Sequence, residues 1–442
     1  MSEAVASQRL WWIHSETQRK VLAVLLVAVA CGLLAVGFQG ALLAAEHRLI
    51  QRAQHAPGHW WLVLTLLCPT LGGLLAGLGH AGFPGARGSG IPQVKAAYAL
   101  PDRTLPVCDG AVRFLLSSLQ IGAGASLGAQ GPTVHLCATL SAAVGRWLGL
   151  SPAAVRQLLP VGAAAGVAAA FNAPVAAVAF VLEAIVGSIP RRLLAALLPA
   201  TLLAAAVGHL VPGVQPHWLL TAGVQAPSLS TLPVWALIGL LAGLVSAAFQ
   251  RSALQLRGMF QRATLLPGWS KPAAGGLATG ACALLGLSAV QSSGIAGTGF
   301  TQLAEALRGS LPLATSLVLG VLKFAATLFS FASGGSGGVF APALFIGAML
   351  GAVVGALSQH GLGLPPLPGS TLVGMAACFA GMLRAPVTGV LLLCELTGAF
   401  ALLVPMALAN TCSYLVARRC EGLSLYDALL ARESAGSPAR QG

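Results

Sequence analysis

Three blocks of this chain, Phe114–Gly145, Leu193–Gln250 and Phe324–Leu383, contain no Asp, Glu, Lys or Arg. About twenty apolar residues suffice for one helical crossing of a bilayer. A spanning β-barrel strand instead alternates apolar and polar residues over about ten positions. Each block is far too long for such a strand and long enough for at least one helix. Composition agrees: of 442 residues only 8% are charged, 56% are hydrophobic, and the mean hydropathy is +0.83. Soluble domains carry about 25% charged residues, and a soluble fold could not hide this much apolar surface. The reading is an all-α polytopic membrane protein.

The formal net charge is +13, from 24 Lys and Arg against 11 Asp and Glu. In a soluble protein this excess would suggest nucleic acid. Here basic loops orient helices and touch anionic lipid, so the bilayer is the expected partner and nucleic acid is not. So few acids also leave little in the interior to repel an anion. The nine cysteines form no Cys-x-x-Cys pair and are odd in number. Most lie in apolar runs, where cysteine packs as a small hydrophobe.

Residues 1–20 are polar and carry the Trp11-Trp12 pair, the pattern of a cytoplasmic arm with an interfacial anchor. The run Val21–Phe38 exceeds a signal-peptide core of about 7–15 residues and reads as a retained span. Further spans are expected at Trp60–Leu78, Leu193–Gly208, Leu232–Gln250, Pro272–Val290, Leu311–Leu322 and Leu396–Ala417. Basic residues at both ends place both termini in the cytoplasm, with an even number of crossings. The sequence after the second half is short, so no soluble regulatory domain is expected to follow.

Landmarks recur at a displacement of roughly 210 residues. Ala173-Pro174-Val175 precedes Glu183 as Ala385-Pro386-Val387 precedes Glu395, and Pro132 stands to Gly145 as Pro342 stands to Gly355. This matched spacing indicates an internal duplication, with a site between the halves.

Three Gly-rich tracts interrupt the apolar sequence: Gly88-Ser89-Gly90-Ile91-Pro92, Gly128-Ala129-Gln130-Gly131-Pro132 and Gly337-Gly338-Val339-Phe340-Ala341-Pro342. Each opens into a helix-competent run, and Pro suits a first helical turn. The first N–H groups of a helix are unpaired, and the macrodipole places about half a positive charge there. Several such ends meeting at mid-membrane make an anion site that binds without holding too tightly.

Taken together, these tracts, both Ala-Pro-Val helices and the Ser424-Leu425-Tyr426-Asp427 segment resemble the CLC family of chloride channels and chloride/proton exchangers, in its bacterial type, over roughly residues 20–432. The resemblance implies a CLC fold of two inverted-topology repeats of tilted and broken helices. These would occupy residues 21–432, with repeats at about 21–210 and 228–432 and a cytoplasmic tail at 433–442. It also implies a homodimer with one pore per subunit, in a bacterial inner membrane, with chloride and similar halides as cargo and no cofactor. By the same resemblance the central anion is held by the hydroxyls of Ser89 and Tyr426 and the amides of Val339 and Phe340. The gate and outer anion site fall at Ala129, Gln130, Gly131 and Ala341. Taken alone, Ser89 would be an ordinary N-cap and Tyr426 an interfacial aromatic.

The departures from the family pattern are informative. The gating glutamate is replaced by Gln130, which has its shape but cannot ionise. The arginine before it is Ala129. The internal proton glutamate of exchangers, the residue after Glu183, is Ala184. Both proton stations are absent, so the expected activity is passive chloride conduction. The alternative is an antiporter with a non-standard proton route, through His135 or water. Glu183 and Glu395 are expected to hydrogen-bond loop amides. Arg113 and Lys323 would either add positive potential along an anion path or snorkel to the interface. No zinc-spacing ligand set, P-loop or paired-carboxylate arrangement suggests an enzyme.

Overall fold

The computed structural model describes residues 15–211, 228–362 and 367–436. Most of the polar N-terminal arm, including the tryptophan pair, and the last six residues of the tail lie outside this range. The described chain is helical, with no β-strand. Nine of its helices are long and apolar enough to cross a membrane.

Helix α1 (Glu16–Glu46) starts at a capping box, in which the Ser15 side chain accepts from Gln18 N–H and the Gln18 side chain accepts from Ser15 N–H. It contains the expected first span. The first half continues through α2 (Trp60–Gly82), α3 (Ile91–Ala99), α4 (Val107–Gly122), α5 (Gln130–Trp147), α6 (Pro152–Phe171), α7 (Pro174–Val181, extended by a π turn at Leu182–Val186) and α8 (Arg191–His209). The second half comprises α9 (Leu232–Arg262), α10 (Lys271–Val290), α11 (Phe300–Leu307), α12 (Leu313–Ala332), α13 (Phe340–Leu362), α14 (Ser370–Leu383), α15 (Pro386–Thr397), α16 (Leu403–Cys420) and α17 (Leu425–Gly436).

The expected run Leu396–Ala417 is not one span. Gly398 takes a left-handed backbone (φ 70°) that ends α15, and α16 starts only after a short 3-10 turn. Hydropathy is blind to such a break because the residues around it stay apolar.

Helices α6 and α14 form the centre, one from each half, and are buried along almost their whole length. Both end on a non-glycine residue in the left-handed region, Asn172 (φ 52°) and Arg384 (φ 60°), just before the two Ala-Pro-Val segments. Proline disfavours helix in the residue before it, so each chain turns here and restarts as a short helix. Asn tolerates this conformation. Arg384 is held in it by tertiary contacts: its guanidinium donates to the carbonyls of Ala417 (2.5 Å) and Glu421 (2.7 Å) at the end of α16.

The two short helices that follow brace each other. Glu395 on α15 accepts from the N–H groups of Val175 (3.0 Å) and Ala176 (2.7 Å) at the start of α7. Glu183, on the π turn after α7, accepts from Val387 N–H (3.1 Å), Thr388 N–H (2.8 Å) and the Thr388 hydroxyl (2.6 Å) at the start of α15. A carboxylate at a helix N-terminus satisfies orphan donors and meets the positive end of the dipole. Both glutamates therefore bond to backbone amides as expected, but at helix N-termini rather than in loops, and they do so reciprocally across the two halves.

Candidate functional site where broken helices converge

All three Gly-rich tracts open helices, as their prolines suggested: α3 at Ile91, α5 at Gln130 and α13 at Phe340. The ends of α5 and α13 are tied together by an antiparallel bridge in which Gly128 and Gly338 exchange N–H to carbonyl hydrogen bonds. The first helical bond of α13 runs from Ala343 N–H to the Val339 carbonyl (2.9 Å), so the helix makes no use of the Val339 and Phe340 amides. In α5 the equivalent bond, Thr133 N–H to the Ala129 carbonyl (2.9 Å), leaves the Gln130 and Gly131 amides unused by the helix. Phe340 anchors its end of the site by stacking on Phe171 and meeting Phe180 and Phe379 edge-on.

Ser89 does not cap α3. The N-cap is Gly90, with a left-handed backbone (φ 92°), and no side chain closes the helix end. The Ser89 hydroxyl is buried and has no hydrogen-bond partner. Tyr426 is not interfacial either: it is 2% exposed, and its hydroxyl faces the Ser89 side chain and the Val339 N–H without bonding geometry to either. Two buried hydroxyls without hydrogen-bond partners thus stand beside the N-terminus of α13. Buried polar groups are normally paired, and an anion is the ligand class such donors suit.

Gln130 heads α5 and is 4% exposed, so its side chain lies within the protein. Its Oε1 accepts no hydrogen bond and lies against Gly128, 2.7 Å from where a Cβ on that residue would stand. Ala129 is the buried N-cap of α5, Gly131 lies in its first turn, and Ala341 lies in the first turn of α13. Gly131 packs directly on Ser89: a Cβ there would lie 2.5 Å from the Ser89 carbonyl oxygen and 2.7 Å from its hydroxyl. Ser89, Gly131, Gly338, Val339 and Tyr426 thus come together from four tracts. Ala184 sits apart, a buried methyl on the π turn that packs against α3.

The basic residues do not snorkel. Arg113 is fully buried and donates to the carbonyls of Gly88 (2.6 Å), Gly85 (2.7 Å) and Arg87 (3.3 Å), so it clamps the loop that presents Ser89. Lys323 is equally buried and donates to the carbonyls of Gly294, Ile295 and Gly297 (2.8–3.2 Å). The two stand at equivalent places in the repeat, and each pins the loop before a short helix, α3 or α11. A buried charge is stable only when its donors are used, which explains why neither reaches for solvent. The Lys323 loop is held from its other side by Glu46, which accepts from Thr298 N–H (3.2 Å) and the Thr298 hydroxyl (3.0 Å).

The same equivalence appears in uncharged pairs that sequence reading passed over. Ser126 N–H donates to the Ser330 hydroxyl (3.1 Å), and Ser336 N–H donates to the Gln120 side-chain oxygen (2.7 Å). The displacement between the halves relates Gln120 to Ser330 and Ser126 to Ser336, so it was the one signal that could have found them. His135 is 1% exposed and packs beneath Gly90. It also lines a cavity of about 260 Å³ bounded by Arg103, Asp109 and Leu430. Among the described residues no cluster of His, Cys, Asp or Glu could hold a metal ion.

A family model described as voltage gated chloride channel matches residues 71–418. The chain is 32% identical over 439 residues to an H(+)/Cl(-) exchange transporter of Salmonella paratyphi B, covering 95% of this chain and 90% of that protein. The transporter of the same name from Citrobacter koseri is 31% identical over 436 residues, with the same coverage. Among solved structures, a slow cyanobacterial Cl-/H+ antiporter superposes with a TM-score of 0.85 at 24% identity, over 96% of this chain and 99% of that one. A eukaryotic CLC transporter gives 0.78 at 21% identity, over 94% and 74%. These two likenesses speak to the fold.

Proposed function

Because this chain belongs to the CLC family of voltage-gated chloride channels and their relatives, we propose that it conducts chloride and similar halides passively, without moving protons in exchange. The observation that carries this reading is a pair of side chains. Gln130 heads α5 and Ala184 lies on the turn after α7; by the family resemblance these are the positions at which exchangers keep their two proton-bearing glutamates. A proton-coupled cycle needs a titratable chain through the membrane, and neither position can titrate.

In this reading a chloride ion sheds water against the Ser89 and Tyr426 hydroxyls and the Val339 and Phe340 amides. Partial charges from one helix end and two hydroxyls bind it weakly enough for release. The ion then passes Gly131 and the amides of Gln130 and Ala341 at the outer position. A neutral Gln130 does not compete with chloride as a carboxylate would, and Ala129 leaves that mouth without an arginine. Arg113 and Lys323 add positive potential along the route while their hydrogen bonds stay within the loops they pin.

Reversal potentials in liposomes separate conduction from exchange. Chloride conduction alone gives the chloride equilibrium potential whatever the pH gradient; exchange shifts the potential with that gradient. A second reading, antiport by another route, is favoured by the exchanger names of the relatives and by the cavity that reaches His135. A pH-dependent reversal potential that disappears in His135→Ala would establish it.

We further infer two repeats at about 21–210 and 228–432, both termini in the cytoplasm, a bacterial inner-membrane location and a homodimer with one pore per subunit. The outer faces of α8 and α16 expose Leu198, Leu202, Leu403, Val404 and Leu415, which suit a subunit contact within the bilayer. Light scattering of the purified protein tests the dimer.

A further inference from the structure

The two hydroxyls of the candidate site lie on separate helices. Ser89 precedes α3 and Tyr426 opens α17. These helices meet at one ion pair. Lys95 Nζ donates to Asp427 Oδ1 at 2.5 Å, with side-chain exposures of 26% and 36%. Asp427 is fixed from its other side, since its Oδ2 accepts from the Ser424 hydroxyl (2.6 Å) and its N–H donates to that same hydroxyl (3.1 Å). Asp427 directly follows Tyr426, and Lys95 lies on the short helix that Ser89 introduces. This is the only ion pair the described residues form between these two helices.

We propose that the Lys95–Asp427 pair is a positioning latch that sets the distance between the Ser89 and Tyr426 hydroxyls, and with it how tightly and selectively the central anion is held. The proposal rests on the central-site assignment made above. α17 is the last described helix, and side-chain contacts set its placement: Leu425 and Leu429 are buried in the core, Arg432 donates to the Leu254 carbonyl of α9 (2.8 Å), and the Lys95–Asp427 pair is its charged tie to α3. An ion pair at this exposure moves an equilibrium by about two- to fivefold. That is small for folding and large for ion selectivity.

The test uses purified full-length protein in liposomes, with chloride/nitrate and chloride/thiocyanate permeability ratios and bromide affinity by calorimetry as readouts. Lys95→Gln and Asp427→Asn should each shift the ratios and weaken bromide about two- to fivefold. In the double variant Lys95→Gln with Asp427→Asn the shifts should be no larger than in either single variant, a non-additivity that general loosening would not produce. Single variants with unchanged ratios and affinity, or shifts that simply add in the double variant, would overturn the latch. Ser89→Ala is run beside them. If it too leaves selectivity and bromide binding unchanged, the site assignment itself has failed; if only the latch variants are silent, the latch alone has.

Discussion

Gly128 and Gly338 exchange both backbone hydrogen bonds, N–H to carbonyl at 2.7 Å in one direction and 2.9 Å in the other. They occupy equivalent places in the two halves, so the pseudo-twofold relation passes between them. The bridge holds the N-terminal ends of α5 and α13 together, and with them the amides that neither helix uses. It thereby fixes where two helix dipoles converge.

Placing a carboxylate at Gln130, the proposed gate residue, should create pH-dependent flow. In Gln130→Glu the side chain is charged near neutral pH and competes for the outer position; as pH falls toward the usual carboxylate range near 4 it becomes neutral. Chloride flux from liposomes should therefore rise as pH falls, whereas the parent protein should vary little. No proton transport should accompany it, because Ala184 stays inert. Proton pumping by this variant, in proportion to chloride, would show that Ala184 does not interrupt the path.

Removing either hydroxyl should change selectivity rather than folding. Ser89→Ala and Tyr426→Phe each delete one neutral donor, with an effect of about 0.5–1.5 kcal/mol on the bound ion. Bromide affinity and chloride/nitrate permeability should fall by roughly two- to tenfold in each. Unchanged ratios in both variants would move the site elsewhere.

Gly131→Ala should obstruct the site. The added methyl would lie 2.5 Å from the Ser89 carbonyl oxygen and 2.7 Å from its hydroxyl, closer than real Cβ contacts come. Overpacking of this kind costs about 1–3 kcal/mol, and the relief displaces Ser89. Flux per mole of monodisperse protein should drop at least tenfold, while the melting temperature in detergent falls only by a few degrees. Flux equal to the parent would mean that the Ser89 loop is free to shift.

Arg113→Met should act on stability first. It leaves the carbonyls of Gly85 and Gly88 without their donor, and bonds to a charged group are worth about 1.5–3 kcal/mol each. A lowered melting temperature, partly recovered in Arg113→Lys, is the expected result. A Met variant as stable as the parent would show that the clamp is dispensable.

Ser89 and Arg113 serve the same loop, but only the first was legible in the sequence. That Ser89 belongs to a helix-opening tract follows from local glycine and proline placement. That Arg113 closes the same loop does not, because a lone arginine in an apolar run reads equally well as a snorkelling side chain. The repeat displacement relates Arg113 to Lys323 and would have marked the pair as structural. Lys95 and Asp427 have no such signal: they lie on short helices from opposite ends of the chain, and nothing local to either predicts the other.

The sequence alone determined the solvent, the duplication and the chemistry of the tracts. Charge-free length dictates a bilayer, matched Pro–Glu spacing reveals the repeat, and Gln130 and Ala184 carry no titratable group in any conformation. Only the tertiary structure decided that Glu183 and Glu395 each cap the helix that carries the other, that the apolar run Leu396–Ala417 breaks at Gly398, and that Lys95 meets Asp427. The reason is physical. Hydropathy and backbone preference act between near neighbours along the chain, whereas a buried polar group takes whichever partner the packing of broken helices delivers to it.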